Sequence, residues 1–329
     1  MLSALNKKEE ISQRYTEAIH ALCGIAGTYH ALGRSSDARR VMHHGLRLAE
    51  TKEAGTEDRL KLLLQYGRIL TIEYVYTNSD ADLMFAILQE ARQIAEAAPH
   101  RQGLADALSL LGQGHYFAVL NAGPAADSSQ GEYDEALACQ QQALELREAL
   151  HDTRGISESY FLIGTVHERR RQYDMALEGY TKAFEIADRH GHLYEKCEPA
   201  RHFAYNALIQ GDLDRALTHA LQALSLREEA GFRPYLPLDH LLLSDIYLKQ
   251  GDAANALLHT QQAYTLAEEM GYKRALASSL LSLGDIQAAR NEKAEARACY
   301  EQALALGREL QLPMTIVRAT DRLEQLAPS

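Results

Sequence analysis

The sequence contains no tryptophan, and only 7 prolines and 4 cysteines among its 329 residues. The cysteines, Cys23, Cys139, Cys197 and Cys299, are far apart and form no C-x-x-C pair. They fit reduced packing residues better than a disulfide framework. No apolar run reaches the roughly 18–20 residues of a transmembrane helix, and the start of the chain lacks the apolar centre of a secretory signal. These absences predict a cytoplasmic protein without a membrane span.

Positive charge is not concentrated anywhere in the chain. The formal net charge is −11, and 34 lysines and arginines are spread among 45 acidic residues. Direct nucleic-acid binding needs a concentrated basic face, and anionic membranes likewise attract clustered basic segments. We therefore expect partners other than nucleic acids and membranes.

Strand patterns are missing as well. No stretch alternates apolar and polar residues over the length of a strand. Alanine, leucine, glutamate, glutamine and arginine are abundant instead, and these residues are strong helix formers. The composition predicts an all-α protein.

The second half of the chain repeats itself every 40 residues, from 157 to 310. Three series of small residues keep this step. They are Ala176, Ala216, Ala256 and Ala296; Ala183, Ala223, Ala263 and Ala303; and Gly164, Ala204, Ser244 and Gly284. A constant period of this length is the mark of a stacked repeat array.

Each repeat reads as two helices joined by a tight turn. Gly211-Asp212 and Gly251-Asp252 pair a glycine that ends one helix with an aspartate that caps the next. Gly191, Gly231 and Gly271 form a second series that ends the second helix. The register therefore predicts stacked helical hairpins.

The first half is less regular. We expect a poorly ordered lead-in, Met1–Lys7, then a helix from about Lys8 to Leu32, with Ser35 or Ser36 capping the next helix. The stretch Asn121–Gln130 interrupts the third hairpin and is too rich in glycine, proline and serine to be helical. It is either a tolerated surface insertion or a flap over one end of a groove.

The whole chain, 1–329, is thus predicted to form one solenoid. Its units cover about residues 8–55, 57–100, 103–152, 157–191, 197–231, 237–271 and 277–310. A last helix, 314–326, is expected to cap the array, because a solenoid otherwise leaves its terminal apolar face exposed.

The register of small and aromatic residues resembles the tetratricopeptide repeat. Gly164, His167, Ala176 and Ala183 occupy the family's eighth, eleventh, twentieth and twenty-seventh places, and the resemblance extends from about residue 17 to 310. The period of 40 exceeds the family's usual 34, as in the long repeats of bacterial regulator sensor domains. The resemblance implies a right-handed superhelical solenoid of about seven hairpins, with the first helices lining a concave groove.

The resemblance also implies which residues face this groove. Mixed charge with aromatic rings is the kind of surface that binds peptides. The predicted groove residues are Arg68, Gln113, Tyr116, Glu158, Phe161, Thr165, Arg169, Arg201, His202, Tyr205, Asp245 and Lys249. No unit carries the lysine–asparagine pair with which one sub-type of the family binds chaperone C-termini, so a co-chaperone role is disfavoured.

Catalytic and metal signals are weak. The 14 histidines raise the possibility of a metal site. His190, His192, Cys197 and His202 are residue types that bind zinc. Their spacing matches no zinc pattern, and the first two fall in a predicted turn. We therefore expect no metal, no cofactor and no enzymatic activity.

Three functions remain as hypotheses. The leading one is a non-enzymatic scaffold or adaptor, a monomer or homodimer that binds a protein or peptide partner in its groove. The second is a sensing domain, in which a peptide or small molecule alters the superhelix and so a signalling or transcription partner. A metal-dependent enzyme is the third, and it rests on the histidines alone.

Overall fold

The computed structural model describes residues 2–123 and 133–326, and only the backbone of residues 2–6. These residues form helices and no strand. The α-helices are α1 (Leu2–Ala31), α2 (Ser35–Ala49), α3 (Thr56–Thr77), α4 (Ala81–Ala97), α5 (Arg101–Ala122), α6 (Asp134–Ala149), α7 (Thr153–Arg169), α8 (Tyr173–His190), α9 (Leu193–Ile209), α10 (Leu213–Ala230), α11 (Leu236–Lys249), α12 (Ala253–Met270), α13 (Lys273–Ala289), α14 (Lys293–Glu309) and α15 (Pro313–Gln325). A short 3₁₀ helix, Arg233–Tyr235, precedes α11.

The helices stack as seven antiparallel hairpins, from α1/α2 to α13/α14, followed by α15. Each odd-numbered helix contacts the next odd-numbered helix, whereas no pair of even-numbered helices in the described chain is comparably close. The odd-numbered helices, which we call the inner helices, therefore line the concave side. The predicted all-α solenoid is confirmed.

Within each hairpin, the inner helix and its partner fit by size. Gly164 and Gly284 face Tyr180 and Tyr300, and a Cβ at either glycine would lie under 3 Å from the tyrosine ring. The equivalent positions are Ala204 and Ala220 in the fifth unit, and Ser244 and Thr260 in the sixth. The Ser244 and Thr260 hydroxyls are 2.5 Å apart. A small residue thus faces a large one, or two small residues face each other.

The tight turns follow the predicted chemistry. Gly191, Gly231 and Gly271 end α8, α10 and α12 in the left-handed conformation, which glycine adopts without steric cost. The Asp212 and Asp252 carboxylates accept hydrogen bonds from the backbone N–H three residues on, both at 3.1 Å. These two predicted caps are confirmed.

Three expectations about helix starts are wrong. Helix α1 already begins at Leu2, so an ordered helix replaces the predicted lead-in from that residue onward. Neither Ser35 nor Ser36 caps α2, because both lie inside the helix, after Arg34. Helices α7, α9 and α13 begin at 153, 193 and 273, one turn before the predicted unit starts at 157, 197 and 277. The longer repeat accommodates this extra turn at the start of each inner helix.

The insertion lies mostly outside the described residues. Its first two residues, Asn121 and Ala122, continue α5 as helix, and 124–130 are not described. The choice between a surface loop and a flap therefore stays open.

The superhelix closes on itself. Tyr76 at the end of α3 stacks on Tyr272 before α13, with ring centroids 4.1 Å apart and an angle of 3° between the planes. The Tyr76 hydroxyl donates to the Pro234 carbonyl at 2.8 Å, and the Asn78 amide donates to the Leu310 carbonyl at 2.9 Å. We call these three interacting pairs of residues, together with His30 against Phe232, the cross-turn contact. It joins the first two units to units about five places on.

Apolar side chains make the cross-turn contact a true packing interface. Ile72 and Tyr76 of α3 pack with Tyr272 and Ala275 from the start of the seventh unit, and Phe117 of α5 joins them. Burial of such side chains in water-excluded contacts is the main favourable term in packing. The array is therefore a closed superhelix held together beyond its neighbouring units.

Candidate functional site

The inner helices bring several predicted groove residues together. Arg68 of α3 lies 3.9 Å from Glu158 of α7, two units away. Arg169 of α7 donates from Nε to the Tyr116 hydroxyl of α5 at 3.0 Å. Residues distant in sequence thus meet on one concave wall.

An aromatic cluster surrounds His202. Its ring lies 5.3 Å from Phe161 and 5.9 Å from Tyr205, and its Nδ1 is 2.8 Å from Glu168. Burial alone would raise the pKa of Glu168, but His202, Tyr180 and Arg169 hold it at about 2. The carboxylate therefore stays ionised across the physiological range and fixes the ring of His202.

Arg201 precedes His202 on α9 and belongs to the same concave wall. Its guanidinium lies 5.5 Å from the centre of the Tyr205 ring and 2.5 Å from Glu198. Such cation–π and ion pairs hold the side chain in place. Arg201 and Tyr205 thus form one fixed, polar–aromatic surface.

Other predicted residues are placed differently. Thr165 is buried, and its hydroxyl donates to the Leu162 carbonyl at 2.7 Å, so it is already satisfied. Gln113 is half-buried, and Asp245 and Lys249 are exposed. Within the described chain, no hydrogen bond, ion pair or ring contact joins these last three residues to the cluster around His202, and their roles stay predictions.

Two buried arginines that the sequence reasoning missed underlie this wall. Arg147 and Arg227 end the outer helices of the third and fifth units and are 2% and 0% exposed. The equivalent position in the other units holds only a small residue. Those residues are Ala49, Ala95, Ala187, Ala267 and Gly307. The signal was present in the sequence, as a charged residue in a series of alanines.

Each buried arginine connects two inner helices. Arg147 Nη2 lies 2.7 Å from Glu158 of α7 and 3.2 Å from Asp106 of α5. Arg227 pairs likewise with Glu198 of α9 and Asp239 of α11. Burial would raise the pKa of Glu198, but Arg201 and Arg227 hold it at about 2.

Two alternating chains of charge result. One runs Asp106–Arg147–Glu158–Arg68, and the other runs Asp239–Arg227–Glu198–Arg201. One chain ends at Arg68 and the other at Arg201, and both arginines were predicted from the sequence to face the groove. Since a buried charge is costly unless it is paired, these chains fix the geometry of the wall.

Two histidines of the predicted metal-ligand types lie together at one turn. His190 and His192 stack with ring centroids 5.9 Å apart at the turn between α8 and α9. In the part of the chain that the structure describes, no three histidine, cysteine, aspartate or glutamate side chains are grouped to hold a metal ion. No helix among the described residues is long and apolar enough to cross a membrane.

The repeats match a known family. Models of the tetratricopeptide repeat match residues 125–189 and 276–310. These two segments therefore match the tetratricopeptide repeat. The second segment covers most of the α13/α14 hairpin with its Gly284–Tyr300 pair, and the predicted resemblance is confirmed. A search of curated proteins gave no match.

Solved structures show the same fold over most of the chain. The Rap protein complexed with competence and sporulation factor is 13% identical, with a TM-score of 0.64 over 94% of this chain and 85% of that chain. NprR in complex with its cognate peptide NprX is 13% identical, with a TM-score of 0.58 over 96% and 82%. A signal transduction ATPase with a tetratricopeptide repeat sensor, from Pyrococcus horikoshii, is 17% identical, with a TM-score of 0.54 over 86% and 42%.

Proposed function

We propose that this protein is a non-enzymatic module that binds a peptide segment on its concave wall. The observation that supports this most is the cluster in which the half-buried Phe161, Tyr205 and Arg201 lie around the buried ring of His202, fixed from behind by Glu168 and by the Arg227 charge chain. Aromatic and arginine side chains held rigidly are typical anchors of peptide recognition. The Rap and NprR structures with bound factor or peptide show that arrays of this fold accommodate such ligands.

A second function is favoured by the cross-turn contact. A ligand that changed the pitch of the superhelix would have to act on this contact, because it joins units that are far apart in sequence. The array would then be a sensing domain that reports ligand binding to a signalling or transcription partner. This alternative shares the ligand site of the first.

A pool of short random peptides tests the binding function. The purified full-length chain is mixed with the pool, and retained peptides are identified by mass spectrometry after gel filtration. We expect retention by the wild-type chain and about tenfold or greater loss of affinity for Arg68→Ala and Tyr205→Ala, since each removes an anchor. The control is Leu258→Ala, on the exposed face of the outer helix α12.

The result that contradicts the proposal is equally definite. If the wild-type chain retains no peptide, or if the groove variants and Leu258→Ala retain the same peptides with the same affinity, the concave wall is not the binding surface. Circular dichroism of each variant ensures that a loss is not due to unfolding.

A further inference from the structure

The first helix of the array has an exposed apolar side. Helix α1 packs against α2 and α3, and the side that it turns toward them includes the buried Ile19 and Ala26. On another side of the same helix and just after its end, Ile11, Ile25 and Leu32 are 48%, 47% and 41% exposed. Large apolar side chains that share an exposed face mark an interaction surface.

The exposed positions follow a regular spacing. Seven positions, alternately three and four residues apart, are all exposed, and five of them are apolar. They are Ile11, Arg14, Ala18, Ala21, Ile25, Thr28 and Leu32. An average step of 3.5 residues is the spacing with which one helix packs along another. We call these seven residues the outer stripe.

In later units the same side of the inner helix is covered by the preceding hairpin. Gly33 ends α1 in the left-handed conformation, as Arg171, Gly211, Gly251 and Asn291 do after α7, α9, α11 and α13. This alignment makes Ala21 equivalent to four buried residues, Ser159, Pro199, Asp239 and Ser279.

Two of these equivalents show what covers them. The Ser159 hydroxyl accepts a hydrogen bond from Arg147 at 2.8 Å, and Asp239 pairs with Arg227. Both arginines belong to the hairpin before. The outer stripe is therefore the side with which an inner helix stacks on a preceding unit, and on α1 that side is exposed.

The other end of the array is more polar. Helix α15 exposes Arg318, Asp321 and Glu324 beside the apolar Met314 and Val317. A polar outer face is what keeps the end of a repeat array soluble. The apolar stripe on α1 is in contrast suited to packing against another surface.

An ion pair bounds the uncharged part of α1 at each end. Residues 18–33 contain no lysine, arginine, aspartate or glutamate. Just before them, Arg14 lies 3.1 Å from Glu17. Just after them, Arg34 donates from Nε to Asp37 at 2.8 Å, and its guanidinium lies 4.6 Å from the centre of the Tyr29 ring. The nearest charge is thus negative at one end and positive at the other.

This arrangement is complementary to itself in one orientation. A two-fold axis near Ile25, at the midpoint of residues 18–33, would lay the uncharged stretch antiparallel on that of a second copy. Glu17 would then face Arg34 of the other copy, and Arg14 would face Asp37. In a parallel arrangement like charges would meet instead. A two-fold interface must be self-complementary, and opposite charges determine its register.

We propose that the outer stripe of α1 is a homodimer interface, which packs antiparallel on the same stripe of a second copy. The second copy would cover the side that a preceding hairpin covers in later units. This inference goes beyond peptide binding, and none of the residues proposed for the concave wall lies on α1. Because one pair of helix faces forms a small interface, we expect a dissociation constant in the micromolar range.

Sedimentation velocity of the full chain, from about 1 to about 200 μM, measures the dimer. Ile25→Glu would place a carboxylate beside the axis, opposite its own copy, so the dissociation constant should rise about tenfold or more. The matched control is Leu258→Glu, at a position that is 49% exposed on the outer helix α12. It should leave the dissociation constant unchanged.

Charge reversal tests the antiparallel register. Glu17→Arg alone and Arg34→Glu alone would each bring like charges together and weaken the dimer. The double variant restores opposite charges between copies, so its affinity should return toward that of the wild-type chain. Within one chain the two positions are about 25 Å apart along the helix, so pairing inside the chain cannot produce this recovery.

The contradicting results are distinct. A wild-type chain that remains monomeric over the whole range overturns the inference. A dimer that Ile25→Glu weakens no more than Leu258→Glu does is formed by another surface, which also overturns it. A double variant weaker than both single variants excludes the antiparallel register. Since Ile25 is exposed, Ile25→Glu should keep the wild-type unfolding temperature at about 1 μM, which separates loss of the dimer from loss of the fold.

Discussion

Among single residues, His30 makes the stability of the fold sensitive to acid. It is 3% exposed, and neither ring nitrogen has a hydrogen-bond partner in the described chain. Its ring packs edge-on against Phe232, 5.4 Å away, within the cross-turn contact. Burial, with a smaller effect from Arg68, lowers the pKa of His30 to about 4, so the ring is neutral at physiological pH.

The direction of the pH effect follows from this lowered pKa. Between about pH 6.5 and pH 4 the unfolded chain binds a proton at His30 and the folded chain does not, so stability falls as the pH falls through this window. We expect the wild-type chain to lose about 2 kcal/mol more than His30→Leu between about pH 7.5 and about pH 5.

Urea unfolding at the two pH values measures this difference. His240, whose pKa is also lowered to about 4 by burial and by His259, is present in both proteins and cancels in the comparison. His44→Leu, at an exposed position on α2, is the control and should keep the wild-type pH dependence. An identical pH dependence for His30→Leu would mean that His30 does not titrate as its burial requires.

At the scale of the helix, the paired sizes within each hairpin determine how closely two helices approach. A Cβ at Gly284 would lie 2.3 Å from the Tyr300 ring, whereas a Cβ at Gly24 of α1 would meet nothing within 4 Å. Gly284→Ala should therefore lower the free energy of unfolding by about 1–3 kcal/mol. Gly24→Ala should raise it by up to about 1 kcal/mol, because alanine is the better helix former.

The double variant provides the stricter measurement. Tyr300→Ala alone should cost about 3–5 kcal/mol through the cavity that it leaves. Gly284→Ala combined with Tyr300→Ala should cost less than the sum of the two, because the fifth unit already accommodates Ala204 against Ala220. Additive costs would show that the two positions are energetically independent.

At the scale of the whole molecule, the cross-turn contact sets the shape. Tyr272 is buried against Tyr76, and its hydroxyl lies 3.3 Å from that of Ser35 in the first unit. Tyr272→Ala should cost about 3–5 kcal/mol. It should also increase the radius of gyration measured by small-angle X-ray scattering, since the packing between neighbouring units is left intact.

Tyr173→Ala is the matched control for this opening. Tyr173 is exposed at the start of α8, far from the cross-turn contact in the chain. Its replacement should change stability by no more than about 0.5 kcal/mol and should leave the scattering curve unchanged. If Tyr272→Ala keeps the wild-type radius of gyration, the closed form does not depend on this pair.

The helices, the turns between them and the contacts within each hairpin could be predicted from the sequence. This is because a constant 40-residue period arises from packing between helices that are adjacent in the chain. Gly164, Ala204 and Gly211 could each be assigned a helix crossing or a turn from their spacing. The cross-turn contact could not be predicted, since the meeting of Tyr76 and Tyr272 depends on small rotations accumulated over five units. Arg227 could have been found as an exception in its alanine series.

Closure also bears on how such a chain can evolve. Repeat arrays ordinarily gain and lose whole units easily, because each unit contacts only its neighbours. Here an added or deleted 40-residue unit between Tyr76 and Tyr272 would place a different segment opposite α3 and would separate the Tyr76 and Tyr272 rings. The number of units between the two turns is therefore fixed by the contact itself, and variation by duplication is confined to segments outside that interval.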